Sequence, residues 1–549
     1  MVHFCKKNPF FLCLLLLYAC NFGKNKETRT VFRYNESAGI TSLDPAFAKD
    51  QANIWACNQL YNSLVQIDSD LNIEPCIARE WTISEDGKIY RFSLRNDVVF
   101  HQTDYFQFST PVRKLTASDV VYSFNRLMSP QTASPGAWIF NMVDIDNQGN
   151  YAFFALNDST VEIRLRSHFP PFLSLLSMQY CSIVPHEAIE KFGKDFRRYP
   201  VGTGCFQLKT WKEGVKMVMV KNPHYFEKDA NGTTLPYLDA VSVSFIIDKQ
   251  TAFMEFIKGN LDFLSGIDAS YKDELLTKSG SLNPVYQSII YMQSMPYLNT
   301  EYLGFYLTEE QNSNNPLLKK EVRQAINYGF DRQKMLRFIR NNIGTPGING
   351  MLPLSLPPFE NLSQSIGYTY DPQKAEQLLE KAGYPKGKNM PTIKLYATES
   401  YMDIIEYIAH QLQLLGMPIE IEKMQPAILR QFSSQGKIPF FRASWIADYP
   451  DGENYLSLFY SANKSPKGPN YTHYSNPEFD KLYLQSLAVI DNAQRLQLYH
   501  KMDSLIIADA PVVVLYYDRV LRFIQKNVSG MEINAMNLLI LKKVKKEVK

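Results

Sequence analysis

The stretch from Asp371 to Lys423 limits the possible folds more than any other part of this sequence. Asp371-Pro372 opens the helical run Q-K-A-E-Q-L-L-E-K-A, and Gly383 closes it. Proline just inside a helix start and glycine just past its end are stop and start signals with a backbone cause. A strand pattern at 392–397, helical spacing over 401–415 ended by Gly416, and a second strand pattern at 419–423 follow. Strands alternating with helices in this way predict an α/β layer. Helical spacing also predicts helices at 317–328, 332–341, 477–487 and 493–508, and P-V-V-V-L-Y-Y (511–517) reads as a buried strand.

The first half is richer in strands. V-F-R-Y after Thr30 alternates, S-L-D-P marks a turn, and residues 50–64 carry apolar side chains at helical spacing. W-T-I-S-E-D-G-K-I-Y-R-F-S-L-R is two alternating runs around Glu85-Asp86-Gly87, a hairpin signal. Thr116 is placed to cap an amphipathic helix. Gly202 and Gly204, in V-G-T-G-C-F, precede another strand and suit a close chain crossing, because no third glycine completes a dinucleotide-binding pattern. A strand at 241–247 and a helix at 251–258 follow. A chain of 549 residues exceeds what one hydrophobic core supports, so two or three domains are expected.

The N-terminus has its own logic. Lys6 and Lys7 precede an apolar run of ten residues, too short for a helix to cross about 30 Å of hydrocarbon. That is signal-peptide anatomy. Its end, L-Y-A-C, resembles a bacterial lipobox, which implies cleavage before Cys20 and lipidation of the Cys20 thiol. Tyr18 departs from the small residue usual there, and plain secretory cleavage is the alternative. No other apolar run is long enough to span a membrane. Removing Lys6 and Lys7 takes the net charge from +3 to +1, which argues against a nucleic-acid surface. Of the remaining cysteines, Cys57, Cys76, Cys181 and Cys205 form no C-x-x-C, so no zinc ribbon is expected, and a chain this large needs no disulfide. They are expected as isolated thiols.

Residues for catalysis do not present themselves. The eight histidines form no paired metal spacing, and neither a phosphate-cradling G-x-x-x-x-G-K-[ST] nor a G-x-S-x-G nucleophile turn occurs. No catalytic residue, metal or cofactor is predicted. What stands out is R-A-S-W-I-A-D-Y-P-D-G-E-N-Y-L-S-L-F (442–459), with Arg442 and Asp448 set among aromatic rings. A charge so placed costs free energy unless a partner meets it.

The order of motifs resembles the dipeptide- and oligopeptide-binding proteins of ABC importers, solute-binding family 5. The matching pieces are S-L-D-P-A (42–46), A-R-E-W-T-I-S-E-D-G-K-I-Y-R-F-S-L-R (78–95), L-T-A-S-D-V-V-Y-S-F-N-R-L (115–127) and V-G-T-G-C-F (201–206). They continue with K-N-P-H-Y-F (221–226), N-P-L-L-K-K-E-V-R-Q-A-I-N-Y-G-F-D-R (315–332), A-D-Y-P-D (447–451) and Y-S-N-P-E-F-D-K-L (474–482). An insertion near 102–113, and Cys205 in place of a usual proline, depart from the family pattern.

The resemblance implies two α/β lobes closing over a cleft about a hinge, with an extra subdomain in the first lobe. The expected division is signal peptide 1–19, lipidated tether 20–30, lobe I from 31–56, 196–290 and 517–549, the extra subdomain 57–195, and lobe II 291–516. It also implies a non-enzymatic, lipid-anchored monomer outside the cytoplasm that delivers short peptides to a membrane permease. The same scaffold in other members carries nickel complexes, haem, opines or sugars, and a sensor or enzyme reusing the fold is a further alternative.

Asp448 falls where the family receives the ligand's α-ammonium; a buried salt bridge or a helix cap is the alternative. Arg442 falls where some members meet the ligand's carboxylate. Six extended residues span up to about 20 Å, however, and a tripeptide's ends lie only about 10 Å apart. Pairing with a local acid such as Glu420 is the alternative there. Trp445 and Tyr449 are expected as apolar walls of the cleft or as lobe core. The segment containing Asp50 and Gln51 corresponds to one whose backbone pairs with the ligand, or else is simply a helix start.

Overall fold

The computed structural model describes residues 29–308, 314–356 and 366–547. The signal peptide and Cys20 therefore lie outside the described residues.

The predicted alternation is present. Strands Ile393–Ala397 and Ile419–Lys423 pair in parallel, with the helix Met402–Leu414 between them in sequence. Its buried face, Ile404, Ile405, Ile408, Ala409 and Leu412, follows the spacing that predicted it. Helices Lys320–Tyr328, Arg332–Ile339, Pro372–Lys381, Pro477–Ala488 and Asn492–Asp509 lie where the sequence placed them. Asp371, Asn476 and Asp491 accept hydrogen bonds from first-turn amides of their helices.

One helix stops early. The spacing over 50–64 continues past Leu60, but the helix is Gln51–Leu60 and Tyr61 is extended. At that point V-G-T-G crosses the chain. A Cβ on Gly202 would sit 2.1 Å from the Leu60 carbonyl oxygen, and one on Gly204 would sit 2.4 Å from the Gln59 oxygen. Gly204 N–H donates to the Leu60 carbonyl at 3.0 Å. Bare backbone is what lets the two segments touch.

A single sheet of 11 strands runs through the molecule. In spatial order its main path is Ile419–Lys423, Ile393–Ala397, Phe440–Ile446, Ile290–Phe305, Val512–Gln525, Phe263–Ser265, Val31–Asn35, Ala240–Ser244, Lys216–Lys221 and Phe206–Lys212. The two long central strands, Ile290–Phe305 and Val512–Gln525, are antiparallel and connect its halves. Their register slips between Pro296 and Thr300, where Pro296 faces Arg519 and Thr300 faces Tyr517, and again between Glu301 and Tyr302. Such extra residues bend a ribbon and increase its twist. Pro296 has no N–H to offer a ladder, and the Leu298 amide turns instead to the Ala535 carbonyl. The ribbon is thus bent where it passes from one half to the other.

A separate four-stranded sheet is built from Ala78–Ile83, Ile89–Leu94, Thr160–Arg164 and Phe153–Asn157. Its buried face (Tyr90, Phe92, Val161 and Ile163) shares one hydrophobic cluster with Phe32, Tyr34 and Trp55 of the main sheet's neighbourhood. A second cluster gathers Leu303, Ile326, Leu395 and Ile405, and a third gathers Leu298, Tyr455, Phe479 and Ile506. Cys57, Cys76, Cys181 and Cys205 are buried free thiols.

Candidate functional site

Strand Phe440–Ile446 pairs antiparallel with Asn299–Phe305, so its residues alternate between two faces of the sheet. Arg442 shares a face with Glu301, and Trp445 lies on the other. The strand ends at Ile446, the Ala447 amide still donates to the Leu298 carbonyl at 2.8 Å, and the chain then bends through Asp448-Tyr449-Pro450.

Asn454 holds that bend. Its Oδ1 accepts from the Trp445 Nε1–H at 2.8 Å and from the Asp448 amide at 3.1 Å, and its Nδ2 reaches Asp448 Oδ2 at 3.4 Å. Neither alternative role claims the Asp448 carboxylate. Among the described residues it has no ion-pair partner, and the helix Glu453–Leu456 is served by Asp451, whose Oδ1 accepts from the Glu453 amide at 2.9 Å. Water reaches Asp448, yet protein crowds it enough that burial pushes its carboxyl from 3.8 up to about 6, with the Asn454 hydrogen bond opposing the rise. Asp448 is therefore an ionisable acid that lacks a counter-charge.

Tyr180 stands beside it. Its ring packs over Gly136, where a Cβ would come within 2.3 Å. Burial raises its phenol well above the ordinary value, and the carboxylates of Asp448 and Asp50 add to the rise. Asp50 and Asp448, nearly 400 residues apart in sequence, thus act on one hydroxyl. Asp50 also caps the helix Gln51–Leu60, accepting from the Asn53 amide at 3.0 Å. Gln51 lines a cavity of about 160 Å³ together with Asn35, Glu36, Trp55 and Tyr271.

Arg442 is occupied. Its guanidinium pairs with Glu301, which is 2 % exposed, and lies 3.3 Å from the centre of the Tyr401 ring. Burial opposes its charge, but Glu301 and Tyr401 more than compensate and hold it above the ordinary arginine value. The partner is Glu301, 141 residues away in sequence, and not the local Glu420. Asn299 Nδ2 donates to Glu301 Oε1 at 3.1 Å, and a second pair, Arg340 with Asp518 at 2.9 Å, stands beside it across the ring of Tyr516. Among the described residues, three atoms of this buried cluster have no hydrogen-bond partner: Arg442 Nε, Asn299 Oδ1 and the Tyr516 hydroxyl.

Trp445 is half-buried against the third cluster. Tyr449, 4 % exposed, packs into the first cluster; its ring lies 6.2 Å from that of Trp138 and its hydroxyl donates to Glu453. Asn454, Tyr180 and Glu301 were not singled out from the sequence. Glu301 did leave a signal there, as a lone acid in the otherwise apolar strand T-E-Y-L-G-F. One group among the described residues, Asp119, His186 and Glu187, has metal-ligand spacing, but Arg113 already pairs with Asp119 at 2.6 Å and with Glu187 at 2.8 Å.

Residues 72–467 match the family described as bacterial extracellular solute-binding proteins, family 5. Glutathione-binding protein GsiB of Escherichia coli (strain K12) is 25% identical over 501 residues, covering 90% of each chain. The structure of the ABC transporter-associated periplasmic binding protein DppA from Helicobacter pylori, in complex with peptide STSA, superposes with a TM-score of 0.76. It is 26% identical and covers 95% of this chain and 99% of that one. A dipeptide binding protein from Pseudoalteromonas sp. SM9913, in complex with Met-Leu, shares the fold at a TM-score of 0.78 and 22% identity, covering 94% of this chain and 100% of that one.

Proposed function

The chain belongs to the bacterial extracellular solute-binding proteins of family 5, and we propose that the solute it captures for an ABC importer is a short peptide held by its free amino end. Members of this family bind and present a solute rather than transform it. The observation that carries the peptide reading is Asp448, a crowded carboxylate without an ion-pair partner among the described residues. A peptide α-ammonium supplies the missing charge, and such a contact is stronger in a closed, water-poor cleft than in bulk water. The peptide STSA bound by the Helicobacter pylori protein and the tripeptide named for the GsiB relatives agree with this choice.

In this reading Asn454 positions Asp448, and Trp445 offers part of an apolar wall. The backbone around Asp50 and Gln51 pairs with the peptide backbone, which makes binding tolerant of side chains. Arg442 stands at the far end, and Tyr449 anchors the bend. Lobe I comprises 31–56, 196–290 and 517–549, carries 57–195 as its subdomain, and closes on lobe II (291–516) about the bent ribbon. A signal peptide of 1–19 is removed, Cys20 is lipidated, and residues 20–30 tether a monomer to a bacterial membrane, where it meets the permease.

Calorimetry with di-, tri- and tetrapeptides and their N-acetylated forms tests the reading. Free peptides bind and acetylated ones do not. Equal binding of the two removes Asp448 from its role, and no binding of any peptide removes the function. Cys20→Ala abolishes incorporation of labelled palmitate and releases the protein from membranes; an unchanged membrane fraction rules out the anchor.

A further inference from the structure

We infer that Glu301 is a charge filter: by occupying Arg442 from within, it makes the cleft accept a neutral oxygen at that end and reject a carboxylate. This rests on the reading of Asp448 as the ammonium site.

Glu301 and Arg442 lie on one face of adjoining strands, and the Glu301 carboxylate pairs with the guanidinium from within the protein. The neighbouring pair Arg340–Asp518 is matched as well, so this end of the site has two acids and two bases and no net charge to offer an anion. At the other end Asp448 and Asp50 act on Tyr180 with no basic partner recorded for either among the described residues. A second carboxylate brought to Arg442 would have to share the guanidinium with Glu301, in a buried place where like charges repel strongly.

The guanidinium is nevertheless not saturated. Among the described residues only its Nη2 has a recorded acceptor, Glu301, and 12 % of the side chain stays exposed, so a donor is left for a solute oxygen to satisfy. A peptide carbonyl or a carboxamide does so without adding charge. The solute class that fits is a peptide with its α-ammonium on Asp448, a carbonyl oxygen at Arg442, and no net negative charge. Glutathione, with one ammonium and two carboxylates, does not fit.

Calorimetry on the mature protein, with Ala-Lys-Ala and Ala-Lys-Ala-Lys-Ala each as free acid and as C-terminal amide, and with glutathione, tests the inference. The two lengths cover different reaches from Asp448. The amides bind at least as tightly as the acids, and glutathione binds more than tenfold more weakly than either amide. Glu301→Gln, which keeps the shape and removes the charge, shifts the acid-to-amide affinity ratio at least tenfold toward the acid for one of the lengths. A wild-type protein that binds free acids tenfold more tightly than amides overturns the filter, even if the variant fails to fold. An unchanged ratio in a folded Glu301→Gln protein overturns it too. If acids and amides alike fail to bind, the peptide reading itself falls, and the filter with it.

Discussion

Asp448→Asn is expected to make the empty protein more stable and the binding protein worse. The carboxyl stands at about 6 in the folded protein against an ordinary value of 3.8, because burial disfavours its charge. At about 1.36 kcal/mol per pH unit that difference is roughly 3 kcal/mol. Water still reaches Asp448, so screening reduces it to about 1–2 kcal/mol. A raised folded pKa means that the folded state holds its proton longer. The cost of ionisation is therefore absent below about pH 3.8, grows through the interval to about 6, and is complete above it. The amide removes that cost, so urea unfolding at pH 7.5 places the variant about 1–2 kcal/mol above the parent, and the gap closes as pH falls toward 4. A charged hydrogen bond contributes roughly 1.5–3 kcal/mol, so affinity for a free-amino peptide drops roughly 10- to 150-fold in the same variant. A variant less stable than the parent at pH 7.5, or one that binds such peptides unimpaired, refutes the account of Asp448 as a counter-ion waiting for its partner.

Three further outcomes follow from the geometry. Peptide affinity, measured by calorimetry between pH 4.5 and 8, is flat above about 6 and weakens toward tenfold per pH unit below it as Asp448 takes up its proton; a flat profile down to 4.5 contradicts this. Gly204→Ala places a Cβ 2.4 Å from backbone atoms at the end of the helix Gln51–Leu60, so urea unfolding shows a loss of about 1–3 kcal/mol, whereas an unaltered midpoint would mean that the crossing is loose. Burial pushes the thiols of Cys57, Cys76, Cys181 and Cys205 upward, so a thiol-reactive dye at pH 8 labels none of them in the native mature protein and all four once guanidinium unfolds it.

What the sequence made legible was local. Pro372 and the cap at Asp371, the stripe from Ile404 to Leu412, and the turn at Gly87 each carry their cause within a few residues, and each appears where it was expected. The helix ending at Leu60 shows the limit, because V-G-T-G stops it from more than 140 residues away. The same division holds in the site. Asp448 and its clamp Asn454 lie six residues apart, and the charge at least announced itself. The partner of Arg442 did not, since Glu301 reaches it only when two strands align in a shared sheet. For Tyr449 the family resemblance leaves cleft wall and lobe core both open. Which way a ring points past the end of a strand depends on packing against Trp138, and a single sequence does not encode that in any nearby residue.

Asp448 and Tyr449 are consecutive, yet one is open to water and the other is sunk in the cluster that includes Phe32, with its ring beside the exposed Trp138. The two side chains hang from the same short piece of backbone, so neither can move far alone. If the halves of the molecule part as the proposed closure requires, the Tyr449 ring leaves its socket and Asp448 moves with it. On the proposed reading, the group that meets the ammonium and the seam between the halves are then a single mechanical part.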